Sequence, residues 1–297
     1  MPPALAVHWA DKHQPSPDEE RTFLESTIAF GNVPAAWVQK ATRLRWMQLE
    51  SVGFEYYQEL DLARMPAGFR LANLKGQFAR PAAETVLAGL LALYRGLDEL
   101  IPAQQRRQWI CLELRPRMGL LHGKSVVVLG AGSIGRKLAD LLRAFECRVE
   151  MYARTAPDAT LRTPAELDAR LGEFDIVVCC LPKTHETLGF FNRERLARLA
   201  PHAIFVNVGR GGVVEEPALV EALEARRLGG AVLDVHLDEP LPPGHPLWSC
   251  PRTLLTQHTG GGYDEELLDK ARTFLANLAC DRAGQDLQNI VTLSRGY

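Results

Sequence analysis

No apolar run in this sequence approaches the ~20 residues that a membrane-spanning helix needs; the longest are Val86–Tyr94, Ser125–Leu129, Ile176–Leu181 and Ala203–Val206. The opening Met1-Pro2-Pro3 lacks the basic and apolar regions of a secretory signal, so a cytoplasmic protein is expected. An excess of one charge is also missing: 34 Lys and Arg stand against 36 Asp and Glu, a net charge of −2. That balance argues against nucleic acid or an anionic membrane as a partner. The six cysteines, at 111, 147, 179, 180, 250 and 280, form no CxxC, and Cys179-Cys180 lie in an apolar run that reads as a buried strand. They are expected to be reduced thiols. The eight histidines form no HExxH and no Cys/His cluster, so no metal site is expected.

What is present is a chain of 297 residues, 46% of them hydrophobic, enough for one large or two ordinary domains. The first stretch is polar, with a short strand expected at Leu5–Trp9 and a helix around Asp18–Ile28. Arg45–Leu49 reads as a strand, Ser51-Val52-Gly53 as a turn, and Phe69–Leu74 as a second apolar segment. Pro81–Leu100 has helical period, with Pro102 expected to end it and Ala103–Trp109 to follow as a connector. After His122 the pattern changes to strand–helix units. Strands are expected at Ser125–Leu129, Arg148–Tyr152, Ile176–Leu181, Ala203–Val208, Gly230–Val235 and Thr253–Thr256. Helices are expected at Ile134–Phe145, Pro164–Leu171, Arg193–Leu199 and Pro217–Arg227, with a last one at Glu265–Cys280 and a short apolar tail at Ile290–Leu293. Short all-apolar strands alternating with amphipathic helices mean a parallel sheet covered on both faces.

Gly130-Ala131-Gly132-Ser133-Ile134-Gly135 is a GxGxxG between the first of these strands and its helix. In that context Gly130 permits the tight turn, Gly132 lets backbone approach a pyrophosphate, and Gly135 lets helix and strand pack closely. The helix N-terminus then offers free N–H groups to phosphate. An acid that selects NAD is expected about 20 residues on, yet that strand ends Met151-Tyr152-Ala153-Arg154-Thr155; Glu150 lies too early. Without a carboxylate to repel a 2′-phosphate, and with Arg154 to pair with it, NADP is expected, with NAD as the alternative.

Three later strand ends carry charged residues: Asn207–Gly212 with Arg210, Asp234–Pro240 with Glu239, and Thr256–Gly261 with His258. Open α/β sheets hold their ligands at this edge. Each segment alone could be structural; their joint occurrence on one sheet is harder to attribute to chance. Together with Leu129–Gly135, Leu181–Thr187 and Pro246-Leu247-Trp248, they make the chain resemble the D-isomer-specific 2-hydroxyacid dehydrogenase family, most closely its glyoxylate/hydroxypyruvate reductase branch. The resemblance runs from about Thr27 to the end.

The resemblance implies two Rossmann-like α/β domains with parallel sheets: a doubly wound cofactor domain over 96–271, and a smaller flavodoxin-like substrate domain over 1–95, completed by 272–297, with a shortened N-terminus. It implies that Arg210 binds the substrate carboxylate and 2-oxygen, His258 is the general acid/base, and Glu239 pairs with it. Ser51, Val52, Gly53 and Lys75 would face the substrate across a cleft that closes before hydride transfer, and Trp46–Gly53, Leu74–Phe78 and Trp248 would shape specificity. Asp234 would meet the nicotinamide carboxamide. Ser133, Ile134, Thr155, Leu181, Pro182, Thr187, Val208, Gly209, His258 and Gly260 would line the rest of the cofactor site. The activity implied is reduction of a small 2-oxo acid, such as glyoxylate or hydroxypyruvate, by a homodimer. Formate dehydrogenases look similar but carry Gln where Glu239 stands. Gln257 departs from the family's usual Pro before the His and adds a backbone N–H. A dinucleotide-sensing regulator on the same fold is the competing reading, because fold alone does not decide function.

Overall fold

The computed structural model describes residues 6–11 and 14–293. The chain divides into two compact units, one formed up to Gln77 and again from Asp264 onward, the other running from Phe78 to Tyr263.

The first unit opens with α1 (Pro17–Glu25), whose N-terminus is a capping box: Ser16 accepts the Glu19 N–H while the Glu19 carboxylate accepts that of Ser16. Then follow β1 (Ile28–Phe30), α2 (Ala35–Lys40), β2 (Trp46–Gln48) and β3 (Arg70–Ala72). The three strands form a parallel sheet in the order β1-β2-β3. On one face Met47 joins Phe23, Trp37, Leu44 and Leu71 in an apolar core. The strand expected at Leu5–Trp9 does not form: residues 6–9 are exposed and irregular, and Leu5 lies outside the described residues. A short run with no partner strand cannot satisfy its backbone groups as a strand.

The second unit begins with α3 (Ala79–Tyr94), α4 (Leu97–Gln105) and α5 (Cys111–Leu114). The helix expected over 81–100 breaks earlier, where Gly96 takes a left-handed φ of 68°, and Pro102 sits inside α4 rather than ending it. As the sixth of the nine residues of α4 it removes a single N–H from the ladder, and the helix runs only three residues further. Alternation then runs β4 (Ser125–Leu129), α6 (Ser133–Ala144), β5 (Arg148–Tyr152), α7 (Pro164–Arg170), β6 (Ile176–Cys179), α8 (Arg193–Arg198), β7 (Ile204–Asn207), α9 (Glu216–Glu224), β8 (Gly230–Leu233) and β9 (Thr253–Leu255). All six strands are parallel, in the order β5-β4-β6-β7-β8-β9. A single parallel bridge, Tyr152 to Leu161, extends the β5 edge.

The period of two along each strand sorts side chains into two cores. Val126, Val128, Ile176, Val178, Ile204, Val206 and Val232 pack with Val86, Leu90, Leu138 and Leu142 of α3 and α6. Val127, Leu129, Val177, Phe205 and Leu233 pack on the other face with Leu167, Leu196, Leu219 and Leu223 of α7, α8 and α9. The sheet is therefore doubly wound. Because α3 buries Ala83, Val86, Leu90 and Leu93 in this core, the unit starts at Phe78 and not at the expected residue 96.

Finally α10 (Glu266–Arg282) returns to the first unit, where Phe274 and Leu278 pack on Trp46, and Asn277 donates to Gln48 at 2.7 Å. The boundary thus precedes the whole helix, at 263/264 instead of 271/272.

Candidate active site

In the six-stranded sheet β4 lies between β5 and β6, so the chain departs from it in opposite directions, the arrangement in which open α/β sheets bind ligands beyond the carboxyl ends of the strands. The loop after β4 carries the glycine motif. Gly130 has φ 106°, accessible to glycine alone at low cost, and a Cβ at Gly135 would lie 2.0 Å from the Gly130 carbonyl oxygen. Gly132 precedes Ser133 and Ile134 of α6, and no side chain caps that helix or brings an acid to its first turn. Its amide N–H groups and positive dipole end suit an anionic ligand. These residues fit a dinucleotide pyrophosphate.

Beyond β5, Ala153 donates its N–H to the Leu161 carbonyl, while Arg154 and Thr155 are exposed. Arg154 forms an ion pair with Glu186, in the loop that follows β6. Glu186 was not singled out in the sequence, where it reads as one more polar loop residue. In the same loop Leu181 is buried, Pro182 is half-buried, and Thr187 Oγ1 donates to the Pro182 carbonyl at 2.6 Å and accepts from Thr184 N at 2.8 Å.

Arg210, Glu239 and His258 follow the carboxyl ends of the neighbouring strands β7, β8 and β9. The Val208 N–H donates to Cys179 O at 3.0 Å. Asn207 organises the first loop, accepting from Gly209 N and donating to Arg210 O, each at 3.1 Å. Arg210 is extended, and its Nη1 donates to Gly209 O at 2.8 Å. Gly211 is required by close approach: a Cβ there would meet His236 O at 1.8 Å, so the first loop packs directly on the second.

Asp234, 5% exposed, ties the second loop to the third. Its Oδ1 accepts from Thr256 Oγ1 at 2.7 Å and Gly260 N at 3.0 Å, and its carbonyl accepts from His258 N at 2.6 Å. Gln257 and His258 both have left-handed φ values, 52° and 56°. Proline, whose φ is held near −65°, cannot occupy position 257 in this conformation.

The Glu239 carboxylate accepts from the His236 N–H at 2.9 Å and pairs with His258 Nδ1 at 2.6 Å. That contact sets the Nδ1 proton toward Glu239 and leaves Nε2 for exchange. Burial pushes the Glu239 carboxyl up, but the hydrogen bonds from His258 and the His236 N–H outweigh it and hold it below the ordinary carboxylate value. A depressed carboxyl stabilises the fold above its unfolded value and loses that contribution as pH falls through the folded one. The stability difference between wild type and Glu239→Gln in urea is therefore expected to be largest above pH ~5 and to shrink as pH falls through the depressed folded value; a difference independent of pH would refute this coupling.

In the first unit, Ser51, Val52, Gly53 and Lys75 come together in one hydrogen-bonded loop cluster. Ser51 Oγ donates to Gly53 O at 2.7 Å, Asn73 Nδ2 to Val52 O at 2.8 Å, and Lys75 N to Asn73 Oδ1 at 3.1 Å. Sequence reasoning missed three groups behind Glu239: Glu216, His236 and His245. Glu216 directly precedes the helix expected from Pro217, and no signal in a single sequence marks its carboxylate as buried.

Among the described residues no group of His, Cys, Asp and Glu is arranged to hold a metal ion, and no helix is long and apolar enough to cross a membrane. Residues 87–260 match the family model described as D-isomer specific 2-hydroxyacid dehydrogenase, NAD binding domain. The chain belongs to the D-isomer specific 2-hydroxyacid dehydrogenase family. It is an oxidoreductase with a nicotinamide dinucleotide domain, similar to the glyoxylate/hydroxypyruvate reductases. Glyoxylate/hydroxypyruvate reductase B of Pectobacterium atrosepticum is 33% identical over 267 residues, covering 88% of this chain and 83% of the relative. Among solved structures, a D-isomer specific 2-hydroxyacid dehydrogenase family protein from Aeromonas salmonicida has 31% identity and a TM-score of 0.79, covering 93% of this chain and 88% of its own. The D-isomer specific 2-hydroxyacid dehydrogenase of Xanthobacter autotrophicus Py2, solved with NADPH and MES, has 29% identity and a TM-score of 0.79, covering 93% and 86%.

Proposed function

We propose that this dehydrogenase reduces a small 2-oxo acid, such as glyoxylate or hydroxypyruvate, to the D-2-hydroxy acid with NADPH. The observation that carries this reading is the 2.6 Å contact between His258 Nδ1 and Glu239, in loops that pack with the Arg210 loop at one sheet edge. When bound, the dinucleotide supplies the hydride. His258 gives its Nε2 proton to the carbonyl oxygen as that atom takes on negative charge, and Glu239 favours the imidazolium beforehand. The Arg210 guanidinium offers a planar fork to the substrate carboxylate and draws charge onto the 2-oxygen. A carboxylate at 239, in place of the Gln of formate dehydrogenases, supports proton transfer to a keto acid. Ser51, Val52, Gly53 and Lys75 are assigned to the substrate, and Asp234 with the loops after β4, β5, β6 and β7 to the cofactor.

The preference for NADPH rests on Arg154 and on the absence of an acid at Ala153. Charge-assisted hydrogen bonds to a 2′-phosphate are worth ~1.5–3 kcal/mol, so Arg154→Ala is expected to lower the NADPH/NADH ratio of kcat/KM by about 10- to 100-fold. An unchanged ratio would remove Arg154 from this role.

The test of the activity is the loss of 340 nm absorbance with NADPH and a panel of 2-oxo acids, with His258→Ala as control. Turnover of at least one acid, abolished in the variant, is expected. Tight NADPH binding with no turnover would favour the dinucleotide-sensing regulator instead.

A homodimer through the second unit is supported by exposed apolar side chains in one segment: Ile101, Trp109, Leu112 and Leu120 are 54%, 90%, 82% and 60% exposed. Light scattering is expected to give twice the 33.0 kDa chain mass; a monomer mass at micromolar concentration overturns it. The six free cysteines are consistent with a reducing, cytoplasmic setting.

A further inference from the structure

Behind Glu239 the chain makes a tight turn whose successive amides go to two different carboxylates. The His236 N–H donates to Glu239 at 2.9 Å, and the Leu237 N–H donates to Glu216 Oε2 at 3.1 Å. Glu216 opens α9 and is 8% exposed. Its Oε1 lies 3.2 Å from His245 Nε2. His245 Nδ1 accepts from Leu247 N at 3.3 Å, which places the ring proton on Nε2, the atom that contacts Glu216. One buried carboxylate thus clamps both the turn that presents Glu239 and the segment after it. The titratable and charged groups facing this turn are Glu216 from α9, Asp234, His236 and Glu239 from its own loop, His245 beyond it, and His258 from the loop after β9.

We propose that Glu216 is a positioning residue for the acid–base pair: it acts through the 236–237 turn to hold Glu239 against His258, with His245 as its anchor. This deepens the proposed function and rests on it. Two features favour a role in the site over plain packing. A carboxylate is an expensive way to fill a buried position unless its oxygens are bound, and here Oε2 accepts the Leu237 N–H while Oε1 contacts His245 Nε2. The imidazole of His236, 6% exposed with Nδ1 3.9 Å from Glu216, is pushed by burial toward its neutral form, so it does not cancel the Glu216 charge.

Glu216→Gln is the discriminating variant, because an amide has one acceptor oxygen for two donors and turns its NH2 toward the other. With NADPH and the best 2-oxo acid of the panel, kcat is expected to fall at least ~10-fold while KM changes less than ~3-fold, the pattern of an interaction lost in the transition state. The alkaline limb of kcat/KM is expected to move to lower pH by about half a unit or more, since a displaced Glu239 no longer favours the imidazolium. Glu216→Asp should recover part of both effects. His245→Asn, which keeps an acceptor for Leu247 N but loses the contact to Glu216, should shift both in the same direction by less, and it serves if Glu216→Gln does not fold.

Glu215→Gln is the control. Its carboxylate accepts from Arg193 N at 2.8 Å, away from the turn, and the same charge change there should leave the limb in place. The inference fails if Glu216→Gln and His245→Asn lower thermal stability with an unmoved pH profile, or if Glu215→Gln moves the limb equally. Absence of turnover in the wild type is a different outcome, which overturns the proposed function and this inference with it.

Discussion

Replacing His258 with Gln is expected to reduce kcat/KM for the 2-oxo acid by about 100- to 10,000-fold, the range usually contributed by a positioned general acid. The reason is geometric and chemical. The imidazole is 52% exposed at its side chain, with Nδ1 engaged by Glu239, so Nε2 is the one ring atom left to deliver a proton. Glutamine can reach the Glu239 carboxylate with its NH2 group, which preserves the loop, but it has no proton to give at neutral pH. The glycine loop proposed to hold the pyrophosphate, Gly130 to Gly135, lies after a different strand, so NADPH affinity should change far less than turnover. Stopped-flow reduction and a fluorescence titration with NADPH measure the two separately. Turnover within ten-fold of wild type would remove His258 from proton transfer.

The second large effect is expected from Arg210→Lys. A lysine keeps the charge but loses the planar fork, and it cannot engage a carboxylate and a neighbouring carbonyl oxygen with two fixed donors. Loss of a single donor to developing oxyanion charge costs about 100- to 1,000-fold in kcat. Because carboxylate recognition operates in the ground state as well, KM should rise while kcat falls. Packing around Gly211 and the Asn207 hydrogen bonds holds the backbone of this loop independently of the side chain. The variant should therefore fold with wild-type stability. Guanidine added to Arg210→Ala is expected to restore part of the activity. A variant with unchanged KM and kcat would show that another group reads the substrate.

Both effects arise from residues visible in the sequence, because they follow all-apolar strands whose ends are marked by abrupt changes of composition. The same signal locates Gly130, Gly132 and Gly135: a strand, a glycine loop and an amphipathic helix are local patterns, set by periods of two and 3.6 residues. It misjudged the described part of the expected first strand, residues 6–9, which is irregular and exposed, and the region around Gly96 and Pro102, where helical period continues through a break. It also assigned α3 to the wrong unit, since an apolar helical face does not say which core it enters.

Composition and periodicity by themselves determined the alternating α/β architecture, the parallel doubly wound sheet and the glycine loop, and they put Arg210, Glu239 and His258 after strand ends; the roles proposed for those three come from the family resemblance. Tertiary structure alone decided that Glu239 and His258 meet at 2.6 Å, that Glu186 opposes Arg154, and that Glu216 is buried behind the Glu239 turn. The physical reason is range. Strand and helix follow from neighbours a few positions apart, whereas the partner of a charge depends on which loops fold over the same sheet edge. A carboxylate in the first turn of a helix has the same sequence whether it faces water or two buried donors.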